Sequence, residues 1–445
     1  MDNHAFRQKR LVVLGAGVYQ LPLIARAKQL GVETIVVSPR THLLQTLTKF
    51  AEDKLDPFPT ATGNMRRSET ELDIKTIPAR VTPASTNPQG PDLFVDLDTT
   101  DAEGVLKACR DLDIHGIATT GTDVAVPTIG RVTEALGLKG TKSAASLRSM
   151  NKILMKTCFA DHGVPTARFC VVEHEHTLTD AARQIGFPLM VKAIDSSGSR
   201  GIFKAESLDD VRRFYARSRQ VSKSGAVILE EFLDGYEIGA DAVVVGQEVV
   251  EVFVHKREVA EPPHNAPIGH SMPIDLTEAQ FSAVRDAILA SVAALGIEDT
   301  MANFDLMMVG NSVYVIEAGA RMGGTCLPDT ISIYGGFDMY ELIIRLALGL
   351  PINLPAHYKR QPNASRLIRS AATGVITNID IPGFVRNHPN LARLSLDKHV
   401  GDAVNAFEVG PDRIGEVIVR HDSASQAEAL VTQLVDQMTI EVAES

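Results

Sequence analysis

The chain has 445 residues, 44% of them apolar and 22% charged, with a formal net charge of −11. That length suits about two to four domains, each large enough to bury a core, and the composition excludes wholesale disorder. The acidic balance lacks the basic footprint of a nucleic-acid binder, and with no Trp and only 5% aromatic residues a base-stacking platform is disfavoured too.

Cys109, Cys158, Cys170 and Cys326 form no CxxC pair and no disulfide-like framework, so a reducing cytoplasm is expected. The start of the chain shows no secretory apolar region. No stretch reaches the ~18 uncharged apolar residues of a membrane span. The nearest, residues 342–350, is interrupted by Arg345 and reads as a buried helix.

The first third alternates strand and helix. Residues 11–14 form a β-rich run ending in Gly15-Ala-Gly17, and Ile24, Ala27 and Leu30 set a helical spacing over 21–30. Further strands are predicted at 34–37, 93–97 and 116–120. Strands separated by helix-length segments imply βαβ units and a parallel sheet. Residues 55–91 hold six prolines, which excludes a regular helix, and the stretch is too long for an ordinary connection. It reads as an insertion.

Residues 151–162 form a helix stopped by Gly163 and Pro165. Strands follow at 187–193, 227–232 and 238–245. Residues 281–295 form an amphipathic helix with Phe281, Val284, Ile288, Val292 and Leu295 on one face. A hairpin joins 304–309 to 313–317. Beyond Pro351 a linker leads to a small α+β tail that ends in a helix over 425–438.

Gly15-x-Gly17 resembles the start of a dinucleotide fingerprint, but Gln20 stands where the third glycine belongs, and no acid ends the second strand. A tight turn is the better reading. The run Ser196, Ser197, Gly198, Ser199, Arg200, Gly201 follows a strand that carries Lys192. Glycines let backbone N–H groups converge on an anion, and a lysine adds a point charge. That order fits a flap over a triphosphate and not a P-loop. The run Glu230, Glu231, Phe232, Leu233 ends a strand, with Glu237 just beyond. A strand edge can read an adenine, and a carboxylate can take ribose hydroxyls.

Asp305 and Glu317 flank the hairpin, followed by Arg321 and the pair Gly323, Gly324. Mg²⁺ takes one or two carboxylates plus substrate phosphates. A two-residue turn at Gly310-Asn311 would face Asp305 with Ile316 and send the acids to opposite sides. A three-residue loop over 310–312, with Asn311 left-handed, would set Asp305 opposite Glu317. The metal reading therefore implies the longer loop. His255, His264 and His270 surround a Pro-rich loop without a zinc-like spacing and read as surface histidines. Cys326 has no base beside it and reads as a buried small residue.

Taken in order, these pieces resemble the ATP-grasp superfamily over nearly the whole chain, nearest its L-amino acid ligase and biotin carboxylase-like branch. The resemblance implies an N-terminal α/β domain over 1–141, a split ATP-grasp module over 142–355 with a lid at about 187–245, and a C-terminal α+β domain over 356–445. It implies phosphate-binding roles for Lys152 and Lys192, with residues 196–201 as the lid loop. Glu230 through Leu233 would be the adenine-reading hinge, and Glu237 the ribose acid. Asp305 and Glu317 would hold one or two Mg²⁺ ions, with Mn²⁺ as an alternative. Arg321 would stand near the reacting carboxylate, with His270, Gly323 and Gly324 near the substrate. The usual pattern is Glu-x-Asn-x-Arg, and here Gly319 replaces the Asn, which removes a ligand of the second metal.

The implied activity is ATP-dependent ligation of a carboxylate, expected to be an amino acid, to an amine through an acylphosphate, with ADP and phosphate released. Alternatives are a bicarbonate-using carboxylase of purine-pathway type and a nucleotide-binding regulatory protein. The expected partners are small molecules, with no nucleic acid and no membrane, in a cytoplasmic homodimer.

Overall fold

The computed structural model describes residues 3–39, 81–83, 90–194, 201–222, 224–261 and 266–444. Most of the expected insertion, residues 196–200 and His264 lie outside the described residues. The N-terminal sheet has the order Val81–Pro83, Leu93–Asp96, Glu33–Ser38, Arg10–Leu14, Gly116–Ala118. Its last four strands pair in parallel, as the alternating pattern predicts. The fifth, drawn from the end of the insertion, pairs antiparallel at the edge, where a strand tolerates Pro.

A second sheet of four strands has the order Phe169–Val172, Val227–Glu231, Leu189–Ala193, Ile202–Ala205. Helices Leu178–Ile185 and Leu208–Val221 cover it, and their buried residues Leu178, Ala182, Val211 and Tyr215 share its core. The strand Tyr236–Val245 does not belong to this unit. It pairs with Glu248–Val259 and Thr300–Val309 in an eight-stranded antiparallel sheet. The expected lid range, 187–245, thus starts inside the small sheet and runs past its end.

The eight-stranded sheet also takes in Asn363–Ile368, Gly415–Arg420 and Leu391–Leu396 from the C-terminal tail. The tail therefore extends the central sheet. Only its three-stranded sheet, Ala403–Val404, Gly374–Asp380 and Thr439–Glu444, stands apart.

Helix Glu278–Leu295 opens with a capping box between Thr277 and Gln280. Val284, Ile288, Val292 and Leu295 are fully buried, which contributes about 1.5–3 kcal/mol per side chain. Phe281, expected on that face, is instead exposed in the first turn. Asn151 caps helix Lys152–Asp161 through its side chain, which accepts from the N–H groups of Ile153 and Leu154. Helix Met339–Ala347 is largely buried, as expected, and no helix among the described residues is long and apolar enough to cross a membrane.

The glycine turn after Arg10–Leu14 is filled from within. Gln20 Oε1 accepts from the N–H of Gly17 at 3.0 Å, and Gln20 Nε2 donates to the carbonyl of Thr120. Gly15 has φ of 100°, and a Cβ there would lie 2.9 Å from Gln20 Oε1. The residue that breaks the fingerprint thus fills the space beside the turn. The tight-turn reading is the one that fits.

Candidate active site

The three sheets meet around a cleft of ≈ 1560 Å³. The N-terminal sheet contributes Tyr19 and Asp123 from its loops. The small sheet contributes Lys192 and Glu230. Phe232 and Leu233 lie on the connection to the long sheet, which contributes Glu237, Arg257, His270, Asp305 and Glu317. Gly410 and Ser423 close the far side from the tail.

Asp305 pairs directly with Glu317 across the hairpin, but not through the expected loop. The turn is the short one, with Val309 opposite Ser312 and Gly310 at φ 61°. Asn311 is not left-handed. A bulge at Ile316 restores the register, because Leu306 pairs with Val315 and Asp305 with Glu317. One extra residue in a strand shifts every later side chain to the other face, and here it brings the two acids together.

Each acid meets a cation. Lys152 Nζ lies 2.9 Å from Glu317 Oε1, and Arg257 Nη1 lies 2.7 Å from Asp305 Oδ2. Burial opposes the charge of Lys152, but Glu317 prevails and holds its pKa above the ordinary value. The same contest, with Asp305 and then Glu237 as opponents of burial, raises Arg257. Arg257 also reaches Glu237 at 3.8 Å.

Glu230 is 1% exposed and holds two lysines. Its Oε2 lies 2.8 Å from Lys192 Nζ and 3.2 Å from Lys156 Nζ. Burial alone would raise its pKa, yet the two lysines hold it down at about 2. Burial and the neighbouring Lys192 lower Lys156, against the pull of Glu230. Thr166 Oγ1 accepts from Lys156 at 2.7 Å. Glu231 instead faces outward and pairs with Arg168 at 3.0 Å.

Arg321 is clamped from two sides. Its Nε and Nη2 contact Asp123 Oδ1 at 2.7 and 2.6 Å, and its Nη1 donates to Asn303 Oδ1 at 3.1 Å. Gly319 lines the cleft beside this pair, and a Cβ there would lie 3.3 Å from Asp123 Oδ1 and 3.4 Å from Arg321 Cζ. Gly324 also faces the cleft. Gly323 lies behind it and donates its N–H to Asp241 Oδ1 at 2.9 Å. Gly201 does not face the cleft. It ends the loop at φ 69°, with its carbonyl accepting from the N–H of Ala193 and the hydroxyl of Ser218.

The histidines depart from their expected place. His255 and His270 are not surface loop residues: they are 1% and 5% exposed, on adjacent strands. Their Nδ1 atoms are 3.2 Å apart, and His255 Nε2 is 3.2 Å from Asp241 Oδ2. No group of three or more His, Cys, Asp or Glu side chains among the described residues is arranged to hold a metal. Cys326 is buried as expected, its thiol donating to Glu416 Oε2 at 3.0 Å. Burial first, then Glu416, pushes its pKa well up.

Sequence reasoning missed Asp123, Lys156, Asp241, His255, Arg257 and Asn303. Asp241 sits in the strand predicted at 238–245 and Asp123 just after the one predicted at 116–120, whereas Lys156 lies in the predicted helix 151–162 and no element is predicted over His255 and Arg257.

This union of a parallel α/β sheet, a small four-stranded sheet and a long antiparallel sheet around one charged cleft is the ATP-grasp architecture, and family models match the chain in two segments. Residues 148–354 match the family of the carbamoyl-phosphate synthase L chain ATP binding domain, and residues 366–443 match L-amino acid ligase C-terminal domain 2. The crystal structure of L-amino acid ligase from Bacillus licheniformis is similar with a TM-score of 0.75 and 19% identity, covering 98% of this chain and 100% of that one. Protein y4rH of Sinorhizobium fredii is 24% identical over 352 residues, 77% of this chain and 72% of its own length. Carnosine synthase 1 of Mus musculus is 28% identical over 200 residues, 42% of this chain and 24% of that one.

Proposed function

We propose that the protein activates a carboxylate substrate, of the amino acid class, as an acylphosphate and couples it to an amine, releasing ADP and phosphate. One observation carries this reading: Asp305 and Glu317 stand directly opposite each other in the cleft that also holds Lys152, Lys192 and Arg321. Two like charges placed opposite on adjacent strands repel without a cation. In this structure Lys152 and Arg257 supply the counter-charge.

The donor set fits Mg²⁺, which favours carboxylate oxygens together with substrate phosphates. Asp305 and Glu317 are the residues that would hold it, and when bound it supplies charge neutralisation for a phosphoryl group. Lys152 and Lys192 bind phosphate oxygens. The backbone from Glu230 to Leu233 reads the base, and Glu237 takes ribose hydroxyls. The resemblance assigns residues 196–201 the role of covering the phosphates. Arg321, held in one orientation by Asp123 and Asn303, stabilises negative charge developing on the acyl group. Catalysis is then positioning plus electrostatic stabilisation. Closure of the small sheet over the cleft excludes the water that would hydrolyse an acylphosphate. The same reading carries a cytoplasmic homodimer, which sedimentation of the purified chain tests.

The deciding experiment is a matrix of carboxylates against amines, scored by phosphate release and product mass. ADP and an amide product are expected. AMP with pyrophosphate would overturn the mechanism. Turnover with bicarbonate in place of an organic carboxylate would redirect it to a carboxylase, and nucleotide binding without turnover to a regulatory protein.

A further inference from the structure

The buried chain Asp241–His255–His270 has a polarity that its hydrogen bonds dictate. Both oxygens of Asp241 accept: Oδ1 from Asn303 Nδ2 at 3.2 Å and from the N–H of Gly323 at 2.9 Å, and Oδ2 from His255 Nε2 at 3.2 Å. His255 Nε2 must therefore carry a hydrogen. A neutral imidazole has one donor and one acceptor nitrogen. With both rings neutral, His255 Nδ1 is the acceptor and His270 Nδ1, 3.2 Å away, is the donor. That leaves the lone pair of His270 on Nε2. Both rings line the cleft, with interplanar angle 87°.

His270 lines the cleft that holds the proposed reacting groups. Arg257 is the cross-strand neighbour of His270 and reaches Asp305. Asn303 links Asp241 to Arg321. Among the described residues no acid bonds to His270. His255 and Arg257 are the side chains that act on its charge, Lys256, Glu258 and Glu428 stand around the same small recess, its ring also hydrogen bonds to the backbone of Lys256, and Ser365 Oγ accepts from its backbone N–H at 3.0 Å. Burial, then His255 and Arg257, keeps His270 well below its ordinary pKa, so the ring is neutral at pH 7.

We propose that His270 is the proton acceptor of the coupling step, with His255 and Asp241 as positioning residues that fix its tautomer. The inference rests on the ligase reading above. The amine nitrogen attacks the acyl carbon, and a C–N bond forms. The C–O bond to phosphate breaks, and its electron pair leaves with the phosphate. One N–H proton passes to His270 Nε2 and on to the departing phosphate or solvent, so the products are an amide and hydrogen phosphate.

Hydroxylamine separates this role from a structural one. It is a free base and a strong nucleophile at neutral pH, so it traps an acylphosphate as a hydroxamate with little need of a proton acceptor. With wild-type enzyme, ATP and the carboxylate, hydroxamate formation tests the ligase reading by itself, and its absence would overturn both. His270→Gln should lower kcat with the amine acceptor by about 10²-fold or more, and hydroxamate formation by under about tenfold. His255→Gln and Asp241→Asn should show the same imbalance in smaller measure, because each releases the tautomer and leaves the ring in place. Imidazole added to His270→Ala should restore part of the amine-dependent rate. Equal losses with both nucleophiles in His270→Gln, or unchanged coupling in it, would overturn the proposal. If Asp241→Asn fails to fold, His255→Gln decides alone: a loss equal for both nucleophiles would remove the positioning role.

Discussion

Two carboxylate centres line the same cleft and behave as opposites. Glu230 is sealed in, 1% exposed, with Lys156 and Lys192 on one oxygen. Asp305 and Glu317 have side chains 32% and 36% exposed, and each holds a single cation. Breaking a buried ion pair by removing one partner costs about 3–5 kcal/mol, and less where one partner, like Asp305 or Glu317, keeps contact with water. The charge of Glu230 is therefore committed to the fold, and the charges of Asp305 and Glu317 are available to a ligand. Lys156 makes this division workable. On the proposed reading it would remain on Glu230 when Lys192 turns to a phosphate, so the buried carboxylate would keep a cation.

The comparison breaks first at Glu317. Glu317→Gln removes one charge from the exposed centre and leaves Lys152 able to hydrogen bond. Turnover should fall by at least about 100-fold, while stability falls less than in Glu230→Gln, because position 317 keeps contact with water although Lys152 is buried. Steady-state kinetics beside a thermal melt checks both halves. Wild-type turnover would show that Glu317 takes no part in the reaction.

Glu230→Gln should reverse that pattern. The change leaves Lys156 and Lys192 buried without a counter-charge, and a loss of about 3–5 kcal/mol is expected in denaturant unfolding. A variant as stable as wild type would mean that the two lysines do not need Glu230, and the division between the two centres would fail.

The two centres also differ in how far the sequence discloses them. Strand, helix and hairpin positions are legible because burial imposes a period on the chain. Asp305, Glu317, Lys152 and Lys192 are legible as charged residues at strand or helix ends. Lys156 is not, since its role depends on where a strand 75 or so residues later places Glu230. Arg257, His255 and Asp241 lie on strands whose pairing order the local pattern does not specify. The bulge at Ile316 escapes for another reason. Periodicity fixes which residues face inward only if no residue is extra, and nothing in Tyr314-Val315-Ile316 marks one as unpaired. The correct pairing of Asp305 with Glu317 was expected from a longer turn, and it arises from the short turn with a bulge.

A titration sharpens the contrast without mutation. The pKa of Glu230 is about 2 in the folded chain against an ordinary 4.5. A carboxylate whose folded pKa is depressed contributes stability above its unfolded pKa and loses it as pH falls through the folded one. The contribution of Glu230 should be fully present above pH 4.5 and decline from there toward 2. Unfolding free energy measured across that window should be less steep in Glu230→Gln than in wild type. Identical slopes would mean that Glu230 is not held ionised by its lysines.

The smallest expected effect concerns Gly319, at the rim of the exposed centre. In the resembling pattern an Asn here offers an oxygen to a second metal, so Gly319→Asn could act on the metal or on the space beside Arg321. The geometry favours space. A Cβ at this position points at Asp123 Oδ1 and Arg321 Cζ, 3.3 and 3.4 Å away, and those two side chains form the ion pair that orients the guanidinium. Contacts that close require a shift of a few tenths of an ångström, and the larger amide would crowd the same pair. A misplaced guanidinium weakens its grip on the carboxylate and on the charge that develops from it, which raises KM and lowers kcat. Gly319→Asn should therefore raise KM for the carboxylate substrate by about 3- to 10-fold, equivalent to roughly 1 kcal/mol. The Mg²⁺ concentration giving half-maximal rate should stay where it is. A lowered Mg²⁺ requirement with unchanged KM would instead assign position 319 to the metal.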